Sequence, residues 1–242
     1  MKTNPIVFLL TAAAVLTGNC LALTPITEDF QASKLDKTRW YLFPKIGKGR
    51  FSQSNGKLNF LVSAPPTQND YINMELQASQ PGMYENWEMI LELSNSIKSG
   101  HGVQASPGFI LANEQDSGDR LYVNFFGSSG IDAGFYNNGA RGNAKPLTLN
   151  GGVPKGAIKV SYSKRTKLMT FSASPVTKEG YSWIPVGTFA PNGNGSGKKN
   201  VNADWKIDPT SGRFRIQLTG FAISKAVRRG EISIDNFSLL PP

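Results

Sequence analysis

The sequence predicts an all-β sandwich of two antiparallel sheets, and three observations carry that expectation. Apolar and polar residues alternate in runs of 5 to 9 residues, clusters of Gly, Asn, Ser and Pro separate the runs, and helical periodicity is absent. Successive side chains on a strand point to opposite faces, so each run reads as a strand with one buried and one wetted side. The runs are too many for one open sheet, which requires two sheets packed face to face.

In chain order the predicted strands begin with "ITEDFQ" (26–31), "GRFSQS" (49–54) and "KLNFLVS" (57–63). Between the last two, "SNGK" (54–57) supplies an Asn-Gly pair, which accepts the positive φ angles of a tight hairpin turn. "YINMELQAS" (71–79) sets Ile72, Met74 and Leu76 against Tyr71, Asn73, Glu75 and Gln77. "WEMILELS" (87–94) puts Trp87 in step with Met89, Leu91 and Leu93, and is followed by "GFILAN" (108–113). "DRLYVNFFG" (119–127) sets Leu121, Val123 and Phe125 against Tyr122, Asn124 and Phe126. "IDAGFYN" (131–137) comes next, with Asp132 and Tyr136 on one side. "AIKVSYS" (157–163) and "KLMTFSAS" (167–174) are joined by "SKRTK", and "WIPVGTF" (183–189) follows. "GRFRIQLTGF" (212–221) opposes Arg213, Arg215 and Gln217 to Phe214, Ile216 and Leu218, and "EISIDNFSLL" (231–240) closes the set. The stretches 137–152 and 191–200 are rich in Gly and Asn, lack a period and read as surface loops.

The last strand contains a conflict. Ile232 and Ile234 stand on even positions, Phe237 and Leu239 on odd ones, and Asp235 shares the second set. Either a β-bulge re-aims the side chain, or a half-buried carboxylate is hydrogen-bonded to backbone amides of the first strand.

The first 22 residues read as a secretory signal: Lys2, an apolar stretch from Ile6 to Leu16, and a small-x-small end suited to cleavage after Ala22. That apolar stretch falls short of the ~20 residues of a membrane span. Lipidation at Cys20 is disfavoured by the bulky Asn19 before it. Residues 23–242 are expected to form one β-sandwich domain, secreted or periplasmic, with no transmembrane anchor. Cleavage leaves no cysteine, hence neither disulfide nor thiolate chemistry, and a charge of +8 from 25 basic and 17 acidic residues. Such a charge favours anionic partners such as acidic polysaccharides, or serves solubility alone. Nothing resembles a nucleic-acid module or a nucleotide loop.

The succession "NGKLNF", "NWEMILELS", "SPGFILAN", "IKVSYSKRTKLMTFSA", "WIPVGTF" and "FRIQLTGF…RRGEISIDNFSL" resembles the concanavalin A-like lectin/glucanase jelly roll, including its laminin-G-like relatives, from Ile26 to Leu240. The resemblance implies that the first and last strands are neighbours. In related family-16 glycoside hydrolases a last-strand Asp and the carbonyl of a Gly in an early hairpin help hold a structural calcium. Asp235 and Gly56 match those places, so the resemblance makes them candidate ligands of a structural Ca2+, with no cofactor required for function.

Two fragments are similar to motifs of the alginate-lyase-like polysaccharide lyases: "DAGFYNN" (132–138) to K-A-G-x-Y-N-Q, and "NMELQ" (73–77) to R-T-E-L-R. That similarity implies Tyr136 as a catalytic tyrosine, with His101 as the one available histidine, and Asn73, Glu75 and Gln77 along the cleft. The departures are Asn73 and Gln77 for the two arginines, Asp132 for the lysine, and no Q-I-H segment. Glycosidase chemistry needs two carboxyl groups ~5 to 9.5 Å apart. Glu88 and Glu92 share a strand face but stand roughly 13 Å apart at ~3.3 Å per residue.

The remaining signal is a binding face. Tyr71, Asn73, Glu75, Gln77, Tyr122, Asn124, Tyr136, Arg215 and Gln217 would form a carbohydrate groove if their rows converge on one sheet, with amides for hydroxyls and rings for sugar faces. The wetted side of an antiparallel sheet would give the same alternation without a ligand. The expectation is a glycan-binding, lectin-like protein that prefers anionic polysaccharides. The alternatives are a lyase or divergent hydrolase on the same fold, and a structural envelope or matrix protein.

Overall fold

The computed structural model describes residues 23–44, 47–66, 70–77, 80–98, 100, 103–142, 149–197 and 199–242. The expected signal segment with Cys20, and His101, lie outside the described residues.

The strands in chain order are β1 (Ile26–Glu28), β2 (Trp40–Leu42), β3 (Gly49–Gln53), β4 (Leu58–Val62), β5 (Asp70–Leu76) and β6 (Trp87–Asn95). They continue with β7 (Gln104–Asn113), β8 (Arg120–Phe125), β9 (Gly130–Asn137), β10 (Ala140–Arg141), β11 (Leu149–Asn150) and β12 (Lys155–Ser163). The last are β13 (Leu168–Thr177), β14 (Gly180–Tyr181), β15 (Ile184–Ala190), β16 (Asn200–Asn202), β17 (Phe214–Ile223) and β18 (Ile232–Leu240). The first sheet runs β16-β15-β13-β12-β6-β18-β4-β3, with β1 beside β18 and β14 beside β13. The second runs β10-β9-β8-β7-β17-β5-β2, with β11 beside β9. Pairing is antiparallel apart from β15 with β16.

Every alternating run forms a strand, and period-two burial is the reason. β8 alternates half-buried and buried residues without a break, and β5 does the same from Ile72 onward. The first strand is shorter than expected because Phe30 takes a positive φ of 53° and turns its ring wholly into the core. In the β3–β4 hairpin Asn55 and Gly56 have φ of 54° and 65°, and Ser54 and Lys57 exchange both backbone hydrogen bonds.

Between the sheets the core is bridged by aromatic pairs. Trp87 of β6 stacks on Tyr162 of β12 at 5.5 Å, and both meet the edge of Phe214, on β17 of the opposite sheet, at 5.8 and 5.7 Å. Trp40 meets Phe237 at 5.3 Å, and Phe135 meets Phe189 at 5.7 Å. Each such side chain contributes about 1.5–3 kcal/mol by burial and ~0.5–1.5 kcal/mol more through ring geometry. Trp205 is also buried, whereas Trp183 is half-buried, with the Lys159 ammonium 4.9 Å above its ring.

The first and last strands are neighbours, with Ile26 opposite Leu239 and Glu28 opposite Phe237. The parity conflict in β18 is a bulge. Ile234 faces Leu93 and Asn236 faces Glu92, so Asp235 is the inserted residue. The insertion keeps Ile232, Ile234, Phe237 and Leu239 all buried. It turns Asp235 to the outer face, beside Ser94 and Ser233.

Candidate functional site

Strand register assembles the outer face of the second sheet into rows. Glu75, Gln217, Ile110, Tyr122 and Gly134 stand opposite one another across β5, β17, β7, β8 and β9. One pleat away the row is Asn73, Thr219, Gly108, Asn124 and Asp132, and one further it is Tyr71, Phe221 and Ser106. On the other side Arg215, Ala112, Arg120, Tyr136 and Arg141 align across β17, β7, β8, β9 and β10. Together these rows enclose a cleft of about 830 Å3.

Seven of the nine expected ligand-contacting residues line this cleft: Tyr71, Asn73, Tyr122, Asn124, Tyr136, Arg215 and Gln217. Glu75 lies just behind it. Its carboxylate accepts the Arg215 Nε–H at 2.9 Å and the Gln217 amide at 2.9 Å. Gln77 follows the end of β5 and, with its amide nitrogen turned toward the 37–39 loop, donates to the Lys37 and Thr38 carbonyls at 3.1 and 3.2 Å. The structure therefore separates Gln77 from the cleft, because the strand ends at Leu76, before the alternation reaches Gln77. Arg213 likewise stands apart, with its guanidinium 6.0 Å from the Tyr84 ring.

The cleft also contains residues that the sequence reading did not single out. Arg120 shares the parity of Tyr122 and Asn124, so alternation alone could have found it. Arg141 sits on a two-residue strand inside a stretch expected to be loop, where there is no period to read. Phe221 and Thr219 extend the β17 row.

The amide end of the cleft is a connected network. Asn73 donates to the Gln217 side-chain oxygen at 3.4 Å, and Gln217 in turn donates to Glu75. The Asn73 Oδ1 is buried without a protein donor, a deficit of about 1–3 kcal/mol.

At the other end Tyr122 and Tyr136 stand 6.1 Å apart, centroid to centroid, and the Arg120 guanidinium lies 4.6 Å over the Tyr136 ring. Gly134 leaves room for the Tyr122 side chain, whose hydroxyl would stand 2.2 Å from a β-carbon there. The Trp205 indole donates to the Tyr136 carbonyl at 2.8 Å, and buried Asp119 accepts the Asn138 N–H at 2.6 Å, fixing the end of β9. Burial raises the Asp132 carboxyl above the ordinary carboxylate range, with the Arg141 charge opposing it. Burial also raises the Tyr122 phenol, again opposed by Arg141.

Glu75 and Asp132 are separated by three intervening strands, roughly 19 Å at ~4.8 Å per strand, beyond either glycosidase spacing. Glu88 and Glu92 lie on the first sheet. Glu88 accepts from Ser161 at 2.9 Å, and Glu92 accepts from Tyr181 at 2.6 Å and Asn236 at 2.8 Å.

Asp235 also sits on the first sheet and is almost wholly buried. Its Oδ2 accepts from the Lys57 ammonium at 3.0 Å and Ser94 at 3.3 Å, with Lys155 at 3.4 Å, and its Oδ1 accepts from Ser233 at 2.6 Å. Its partners are thus side chains, not backbone amides of the first strand. Gly56 serves the turn that delivers Lys57. Among the described residues no three His, Cys, Asp or Glu side chains group to hold a metal, and around Asp235 two ammonium groups stand where a cation would have to enter.

No protein-family model and no curated protein matches the sequence. Solved structures do match in shape. Lectin I from Ulex europaeus, in complex with the methyl glycoside of α-L-fucose, has a TM-score of 0.56 at 11% identity, over 89% of this chain and 96% of that one. The VIP36 exoplasmic/lumenal domain in its Ca2+/Man2-bound form has a TM-score of 0.55 at 11% identity, over 90% and 87%. A native glycosidic hydrolase has a TM-score of 0.52 at 12% identity, over 91% and 97%. Likeness at these identities bears on fold alone, and what it shows is that this chain has the concanavalin A-like jelly-roll fold of lectins and glycosidases.

Proposed function

We propose that the protein is a secreted or periplasmic, lectin-like glycan-binding protein, released by cleavage after Ala22, whose ligand lies across the β5, β17, β7, β8 and β9 strands. The observation that carries this reading is the convergence of Tyr71, Asn73, Tyr122, Asn124, Tyr136, Arg215 and Gln217 on one cleft. A merely wetted sheet face has no use for two adjacent tyrosine rings. Arg120 and Arg141 in the cleft favour anionic polysaccharides over neutral ones. The lectin and hydrolase neighbours support a sugar as partner. Among the described residues no helix is long and apolar enough to cross a membrane.

A calcium on Asp235 and the Gly56 carbonyl would have to displace an ammonium bonded at 3.0 Å, so Lys57 is inferred to fill the ion's place.

Titration with alginate, glucuronan and a neutral β-glucan at low salt tests binding. Retention of the acidic polymers supports the reading, and silence toward all three leaves the structural envelope or matrix role. One observation favours lyase activity as the second reading: Tyr136 shares its cleft with Asn73 and a nearby Arg120 guanidinium. Unsaturated-product absorbance that appears with the wild type and vanishes in Tyr136→Phe would establish it.

A further inference from the structure

The geometry points to Arg120 and Arg141 as the pair that reads the carboxylate of an acidic sugar, at the β8–β10 end of the cleft, with Arg215 excluded from that role. The inference rests on the cleft being a glycan site and adds the direction in which the ligand lies.

The three arginines differ in what already holds them. Arg215 Nε donates to Glu75 at 2.9 Å, and the same carboxylate takes Gln217, so its charge is neutralised within the protein. Among the described residues the ion pairs made by arginine are this one and Arg39 with Glu28. Among the described residues Arg120 has only a long contact, 3.5 Å, to the Ser117 carbonyl, and its guanidinium otherwise rests on Tyr136. Arg141 stands opposite Tyr136 on β10, as Arg120 does on β8, so the two residues flank one tyrosine in a single row, and the Arg141 charge acts on Tyr122 and Asp132 beside it.

The surroundings suit a sugar ring carrying an acid. Ala112 is Arg120's neighbour on β7 and leaves space beside it. Tyr122 and Tyr136 offer faces for the ring. Asp132, the one carboxyl in the cleft lining, faces Arg141's charge, which offsets part of its repulsion of an incoming carboxylate. At the far end Asn73, Gln217 and the Arg215–Glu75 pair present amides and a spent charge, which suit neutral hydroxyls. A guanidinium fork matches a planar carboxylate through two parallel hydrogen bonds, and a sulfate ester offers related oxyanion chemistry.

The test measures Kd of the full chain for an oligoglucuronate, its carboxyl-reduced neutral counterpart and a sulfated oligoglucan. The expected wild-type preference for the uronate over its reduced form is roughly tenfold or more. In Arg120→Gln/Arg141→Gln that ratio falls toward one, while Arg215→Gln weakens both affinities and keeps the ratio. A ratio that survives the double substitution, or collapses in Arg215→Gln instead, overturns the assignment. Sulfated glucan bound as tightly as the uronate overturns the carboxylate part of it. If neither uronate nor reduced oligomer binds the wild type, the cleft reading itself has failed. Thermal unfolding of each variant confirms that a lost ratio is not lost structure.

Discussion

Lys57 carries its ammonium to within 3.0 Å of the Asp235 carboxylate, joining the turn of an early hairpin to the bulge of the last strand. The two residues are 178 positions apart, so the contact ties the ends of the chain together across β4 and β18. Removing one partner of a nearly buried pair ordinarily costs ~3–5 kcal/mol. Lys155 at 3.4 Å stays to share the charge, and Lys57 is itself partly exposed. Lys57→Met should therefore destabilise by a smaller amount, about 1–3 kcal/mol. Calcium or a chelator should leave the melting temperature of the wild type unchanged. A chelator-induced drop would restore calcium as the partner of Asp235.

Gly56 separates turn geometry from metal binding. Its φ of 65° costs a residue with a β-carbon about 1–2 kcal/mol. Gly56→Ala keeps the backbone carbonyl that a metal would use, yet should lower stability by that amount, whereas Gly56→Asn should lose much less. Chemical denaturation checks both, and equal losses would contradict the turn assignment.

Asp132 gives a pH signature. Its folded carboxyl is raised above the ordinary carboxylate range by burial, against the opposing charge of Arg141. The folded state then holds the proton more tightly than the unfolded chain. That contribution is fully present below the unfolded pKa of ~3.9 and is lost as pH rises through the higher folded value. Asp132→Asn should accordingly be more stable than the wild type at pH ~7, with an advantage that shrinks below pH ~4. Melting curves at both pH values decide it, and a pH-independent difference would refute the burial argument.

The strands and the cleft differ in how far the sequence discloses them. Long strands such as β5, β8 and β17 show their two faces directly, because one side must enter the core. β2, β10, β11, β14 and β16 have two or three residues each, too few for a period, and register with longer neighbours makes them. The polar and aromatic rows were legible strand by strand, but their convergence depends on β17 lying between β5 and β7, which only the topology supplies. The odd parity of Asp235 announced a bulge or a special partner. It could not name Lys57 and Lys155, which arrive from a hairpin turn and from β12, distant parts of the chain.

The central claim is that a glycan occupies the outer face of the second sheet, and hydrogen exchange with and without a bound acidic oligosaccharide tests it most directly. Slowed exchange should appear in β8, β9 and β17 around Tyr122, Tyr136 and Gln217, and should disappear in Tyr136→Ala together with binding. Protection confined to β6, β12 and β18, on the outer face of the first sheet, would contradict the account.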